Sequence, residues 1–191
     1  MAFDPNSINS FISGFGGGHR SNRFIVHNNN TGVSTVGNIK VDNAKSFHIR
    51  SATLPNSTVG AMAINYRGRT VAYPGERVYT PWQINVIDDA SNELYREFHR
   101  WSNKINQHAT NGSVLPNGDG FSGTQENNDS GAAGDWVIQH LDLNGNIITG
   151  RKFTLQNCWP MEIGDLVLDM GADNKFVTFP VTLVYSHYIR G

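Results

Sequence analysis

The sequence predicts a mainly β, α+β fold: an antiparallel β-sandwich or barrel with one packed amphipathic α-helix, built as a single domain over residues 1–191. Three observations predict it. Apolar and polar residues alternate with period two through Trp82, Ile84 and Val86 and again from Phe176 to Tyr188, the spacing that sends successive side chains to opposite faces of a strand. Leu94, Tyr95, Phe98, Trp101 and Ile105 fall on one helical stripe. Asn144-Gly145-Asn146 separates two apolar runs as a hairpin turn, so the strands it joins are antiparallel. A chain of 191 residues supports one good core and leaves little room for a second.

Taken in order, residues 1–22 read as an N-terminal arm. Ile8, Phe11, Ile12 and Phe15 have helical spacing, and Gly16-Gly17-Gly18 then frees the chain. A first strand covers Arg23 to His27, and residues 28–45, rich in Asn, Gly and Thr, form a long loop. From Ser46, Phe47 and Ile49 alternate as a strand that Leu54-Pro55 closes. Met62, Ile64 and Tyr66 alternate toward Arg67-Gly68-Arg69, and Val71 and Tyr73 lead to Pro74-Gly75-Glu76, which reads as a turn. The strand at Trp82–Val86 ends at Asp88-Asp89. Asp88, Asp89 and Ser91 are the cap candidates for a helix reaching about Gln107. Residues 109–135 carry few large apolar groups and read as a second long loop. Strands follow at Trp136–Leu143, Ile147–Trp159 and Leu166–Leu168, and a long one at Phe176–Tyr188. The core is expected to hold Trp82, Ile84, Val86, Leu94, Phe98, Trp101, Ile105, Trp159, Phe179, Val181 and Leu183.

Charge and chemistry exclude more than they suggest. Lys and Arg total 15 against 16 Asp and Glu, so no net field draws the chain to nucleic acid or anionic lipid. No run nears the roughly 18 apolar residues of a membrane span, and Met1-Ala2-Phe3-Asp4-Pro5-Asn6 has no export signal, so no membrane binding is expected. The single cysteine, Cys158, sits in an apolar context and reads as a buried small hydrophobe. His19, His27, His48, His99, His108, His140 and His187 lack metal-site spacing, Gly14–His19 lacks a phosphate-binding Lys, and no Gly-x-Ser-x-Gly elbow is present. No catalytic residue, metal or cofactor is expected. Charged residues make up 16% of the chain, below the roughly 25% usual for soluble domains, which fits a surface committed to neighbours.

Three stretches in order resemble the tail tube protein family of contractile-tailed bacteriophages, related to tube proteins of type VI secretion systems and bacteriocins. They are Ser51-Ala52-Thr53-Leu54-Pro55 with the long hairpin from Ala61 to Trp82; Trp82–Asp89 leading into the helix with Phe98 and Trp101; and Trp159–Asp169 followed by Phe179-Pro180-Val181-Thr182-Leu183 and Tyr185. Residues 28–45 and 109–135 depart from the family pattern as insertions.

The resemblance implies a non-enzymatic virion subunit. It implies homo-hexameric rings stacked helically into an inner tail tube, assembled in the bacterial host cytoplasm. A tail sheath lies outside, tape-measure protein and DNA pass through the lumen, and a baseplate and a tail terminator stand at the ends. Open strand edges fit that picture, because a ring can pair them with the next copy. The hairpin bearing Arg67, Arg69, Glu76 and Arg77 is expected to reach an adjacent ring, where Glu162, Asp165 and Asp169 are the charge partners. The lumen is expected to be neutral or acidic, since cations there would hold DNA that must slide. Two other readings fit the same residues: the tube of a related contractile injection apparatus, whether secretion system, bacteriocin or the baseplate protein that starts a tube, and a β-sandwich binding module displaying its Asn/Gly-rich loops.

Overall fold

A computed structural model describes residues 8, 12, 18–28, 45–106, 133–171 and 175–191. Among them run nine strands and one long helix: β1 (Phe24–Asn28), β2 (Ile49–Ala52), β3 (Ser57–Tyr66), β4 (Arg69–Tyr79), β5 (Trp82–Ile87), α1 (Glu93–Ile105), β6 (Gly134–Leu141), β7 (Ile147–Ile163), β8 (Thr178–Val184) and β9 (His187–Arg190). A 3-10 turn at Lys45–His48 precedes β2. All strand pairs are antiparallel.

Seven strands form one sheet in the order β1-β6-β7-β8-β5-β2, with β9 beside β7. The sheet curls, because Trp82 of β5 and Trp136 of β6, which are not neighbouring strands, bring their rings to 6.1 Å. β7 is the spine of this curl. Its first part pairs with β6 and β9 and its last part with β8, and between them Asn157 takes a left-handed conformation (φ 55°) with its amide on Asp135 Oδ1 at 3.1 Å. A bulge of this kind bends a strand and re-aims it.

Helix α1 fills the concave side. Phe98 and Trp101 lie against Trp136 at 6.3 and 6.4 Å, and Tyr95 and Phe98 meet Phe179 edge-on at 5.2 and 6.0 Å. Trp82, Ile84, Val86, Leu94, Phe98, Trp101, Phe179, Val181 and Leu183 are all buried in this cluster, with Trp159 and Ile105 partly buried against it. Burying so many aromatic side chains dominates the stability of a domain this size.

The structure departs from the sequence reading at several places. Ser46–His48 is a 3-10 turn, not strand, and it leaves Phe47 83% exposed. Pro74-Gly75-Glu76 makes no turn: Gly75 and Glu76 together oppose Gly60, a bulge inside β4. There two glycines let the backbones approach, since a Cβ on Gly75 would meet the Gly60 carbonyl at 3.2 Å. Leu166–Leu168 is not a strand, and Val167 and Leu168 are exposed. The final strand breaks at Tyr185-Ser186, yet its register on β7 is unchanged, with Trp159 opposite Val184 and Gln156 opposite His187. Tyr185 turns into the core there, its hydroxyl donating to the Asn56 carbonyl at 3.1 Å.

Helix α1 ends at Ile105, earlier than Gln107. None of the cap candidates is its N-cap residue, which is Asn92 at φ 52°. Asp89 caps from further back, with Oδ1 accepting the Glu93 amide at 2.8 Å. Of the N-terminal arm, Ile8 and Ile12 are helical and exposed. Residues 29–44 and 107–132, most of both long loops, lie outside the described residues.

Candidate assembly surface

Strands β3 and β4 stand apart from the body as a two-stranded sheet. The turn at its tip is built by Arg67 (φ 46°) and Gly68 (φ 81°), the pair of left-handed residues that a two-residue hairpin loop requires. Gly68 supplies that geometry without cost. Arg67 lays its guanidinium over its neighbour's ring, 5.4 Å from the Tyr66 centroid.

The root of the hairpin is anchored firmly. Tyr79 packs edge-on against Tyr185 and Tyr188 at 5.8 and 5.7 Å, and Tyr188 does the same with Phe153 at 5.7 Å. Ser57 joins the cluster through the Tyr188 hydroxyl at 3.3 Å and accepts from Arg77 at 2.7 Å. The Thr80 amide donates to the Asn56 carbonyl at 3.1 Å. Burial pushes the Tyr185 hydroxyl's pKa up, so it stays a donor in this clamp. A hairpin held this way projects in a fixed direction.

Beyond the root its side chains join no core among the described residues. Met62, Ile64, Tyr66, Val71 and Tyr73 are between 45% and 64% exposed. An isolated two-stranded ribbon is marginal in water, and contiguous exposed apolar groups mark an interaction surface.

A second exposed apolar stretch begins at the end of β7 and continues past it: Met161, Val167, Leu168, Met170 and Phe176 are all more than half exposed. It carries Glu162, Asp165 and Asp169, each exposed, while Arg67, Arg69, Glu76 and Arg77 are exposed on the hairpin. Within the chain the structure brings none of the three carboxylates onto the hairpin's arginines: the ion pairs among the described residues are Lys45–Glu93 at 2.8 Å and Arg100–Glu97 at 3.8 Å. The chain thus presents a basic-apolar projection and a separate acidic-apolar segment. The latter is held in place where Gly164 donates to the Pro180 carbonyl at 2.7 Å.

Strand edges add to this surface. β1 and β2 close the ends of the sheet order, each paired on one side, and β9 and the outer sides of β3 and β4 are likewise single-sided among the described residues. Such edges are templates for pairing with another chain.

Cys158 is fully buried, its thiol donates to the Leu155 carbonyl at 3.6 Å, and burial together with the nearby Asp135 charge pushes its pKa far up, away from a reactive thiolate. Among the described residues no three His, Cys, Asp or Glu side chains are grouped to hold a metal ion.

The sequence reading missed the ring at the centre of the core. Trp136 contacts Trp82, Phe98 and Trp101 and is fully buried. The available signal was the unbroken run Trp136-Val137-Ile138, all three buried, which marks a strand covered on both faces.

Comparison with known proteins agrees with this geometry. The chain is 28% identical over 131 residues to a tail tube protein of Serratia phage KSP90, covering 69% of this chain and 66% of that protein. It is 21% identical over 143 residues to the tail tube protein gp19 of Enterobacteria phage T4, covering 75% of this chain and 80% of that protein. Its fold superposes with a TM-score of 0.56 on a chain of the extended sheath-tube complex of an extracellular contractile injection system, at 14% identity over 97% of this chain and 98% of that one. The family model for phage tail tube proteins matches residues 20–191, and the chain belongs to that family of structural virion proteins.

Proposed function

We propose that this protein is a non-catalytic, single-domain building block whose working form is a cylinder of identical copies. Six copies form a ring, and rings stack helically into the inner tube of a contractile phage tail. A sheath surrounds the tube, a baseplate and a terminator stand at its ends, and tape-measure protein and DNA occupy a neutral or acidic lumen. Assembly takes place in the host cytoplasm. The observation that carries this reading is the clamped, projecting hairpin with its unburied apolar side chains, on a chain whose outer strands are paired on one side only among the described residues. A monomer gains nothing from either feature, whereas a ring that closes on itself consumes both.

Charge supports the stacking contact. Arg67 and Arg69 at the hairpin tip are opposite in sign to Glu162 at the end of β7 and Asp165 and Asp169 after it, and all are exposed, so one copy's hairpin complements another copy's acidic segment.

Sedimentation and negative-stain imaging of the purified protein test the reading directly: rings and long cylinders are expected, and a lone monomer at high concentration overturns it. Arg69→Glu tests the charge contact. It is expected to shorten tubes and raise the concentration needed to form them by roughly tenfold, as for the loss of an interfacial charge pair. Unchanged tube length removes the contact from the proposal.

A further inference from the structure

We infer that the hairpin's two faces have separate tasks in the assembled wall: one seats on a second copy of the chain, and the other is left bare to the bore. The inference rests on the tube reading above. Cross-strand register sorts the side chains. Met62 opposes Tyr73, Ile64 opposes Val71, and Tyr66 opposes Arg69, so these six share one face. Ala61 opposes Pro74, Ala63 opposes Ala72, and Asn65 opposes Thr70, and these six share the other.

The chemistry of the two faces is opposite. The first is bulky and apolar, with Arg69 on it and Arg67 at the tip beside Tyr66. A second copy supplies a matching surface, because the segment after β7 is both apolar and acidic and is exposed on every chain. Seating there buries the large side chains and neutralises the arginines in one contact.

The second face offers a passing polymer little to hold. Over these six positions it is built from alanines and a proline with no ionisable group, and Thr70 Oγ1 donates to Asn65 Oδ1 at 2.8 Å. DNA binds nonspecifically through cations on its phosphates, and a surface without cations releases no counterions and gains no affinity. Arg77, which reaches the same side past the bulge at the root, is tied to Ser57 at 2.7 Å. The register therefore keeps the tip arginines off the face that a polyanion would touch.

Cysteine labelling of assembled tubes of the full chain separates the faces, and the buried Cys158 keeps the background low. With Ala63→Cys, a small maleimide is expected to react in tubes within a few-fold of its rate on dissociated subunits, whereas a maleimide carried on a folded protein is excluded. With Ile64→Cys, the small reagent is expected to react at least roughly tenfold more slowly in tubes than on subunits, as for a site that must open before reacting. Where Ile64→Cys blocks assembly, Met62→Cys reads the same face. Protection of Ala63→Cys, free labelling of Ile64→Cys or Met62→Cys, or reaction of Ala63→Cys with the protein-borne reagent each overturns the assignment. Failure of the unsubstituted protein to form tubes overturns the tube reading instead.

Discussion

Strands β5 and β8 and strands β3 and β4 carry the same kind of pattern and meet opposite fates. In β5, Trp82, Ile84 and Val86 alternate with polar residues and are at most 1% exposed, facing Leu183, Val181 and Phe179 across the ladder. In β3, Met62, Ile64 and Tyr66 alternate just as regularly and are 55–64% exposed. Period-two patterning states that one face of a strand is to be buried. It does not state by what. In the body the burying partner lies within the chain, with α1 and the curled sheet supplying it; in the hairpin none of the described residues supplies it, and the tube reading assigns it to a second copy. The two regions therefore separate folding from assembly on one chain, and a substitution in each should move one property without the other.

Trp136→Ala is the largest test of that separation. It removes a fully buried ring that touches Trp82, Phe98 and Trp101, and the expected loss is about 3–5 kcal/mol of subunit stability. Denaturant melts of the subunit measure it, and since a domain of this size holds about 5–15 kcal/mol in total, soluble yield should fall as well. Ile64→Asp is the reciprocal test. The subunit's melt should shift by no more than about 0.5 kcal/mol, because the side chain is already 55% exposed. Assembly should weaken by at least roughly tenfold in the concentration required, as for a charge placed at an interface core. A large loss of subunit stability in Ile64→Asp, or intact assembly, breaks the comparison.

The same division explains what could be read from sequence. The helix stripe at Leu94–Ile105, the turn at Asn144–Asn146 and the alternation of β5 and β8 are local signals with their partners inside the chain, and the structure has each as expected. Leu166–Leu168 fails because a short apolar run reads as strand whether its cover is the same chain or another, and here the side chains of Val167 and Leu168 point to solvent. Pro74-Gly75 fails for a different reason: the two residues that punctuate turns also serve bulges, and only the partner strand, with Gly60 opposite, distinguishes the cases. The charged residues were legible as a set of opposite signs on two segments. Their proposed pairing was not, since no ion pair among the described residues joins them.

The smallest effect sharpens the comparison through pH. Asp89 accepts the Ser91 hydroxyl at 2.6 Å and the Glu93 amide at 2.8 Å, and these bonds, the hydroxyl's first, hold its carboxyl below the usual carboxylate range against an opposing cost of burial. A folded-state pKa below the unfolded value of about 3.9 means that the contribution is complete above that pH and is lost as pH falls through the lower folded value. Asp89 is only partly buried, so solvent screening keeps this contribution under about 1 kcal/mol. Asp89→Ala should cost about 1 kcal/mol at neutral pH by leaving the first turn of α1 uncapped. Asp89→Asn keeps an acceptor oxygen but cannot titrate, so its stability should approach that of the unsubstituted chain as the pH drops below about 4. Urea melts in the Ile64→Asp background, where assembly does not mask the subunit, give both curves. A constant offset between them across the acid range would show that the helix cap carries no charge dependence, and that the acid sensitivity of the body originates elsewhere.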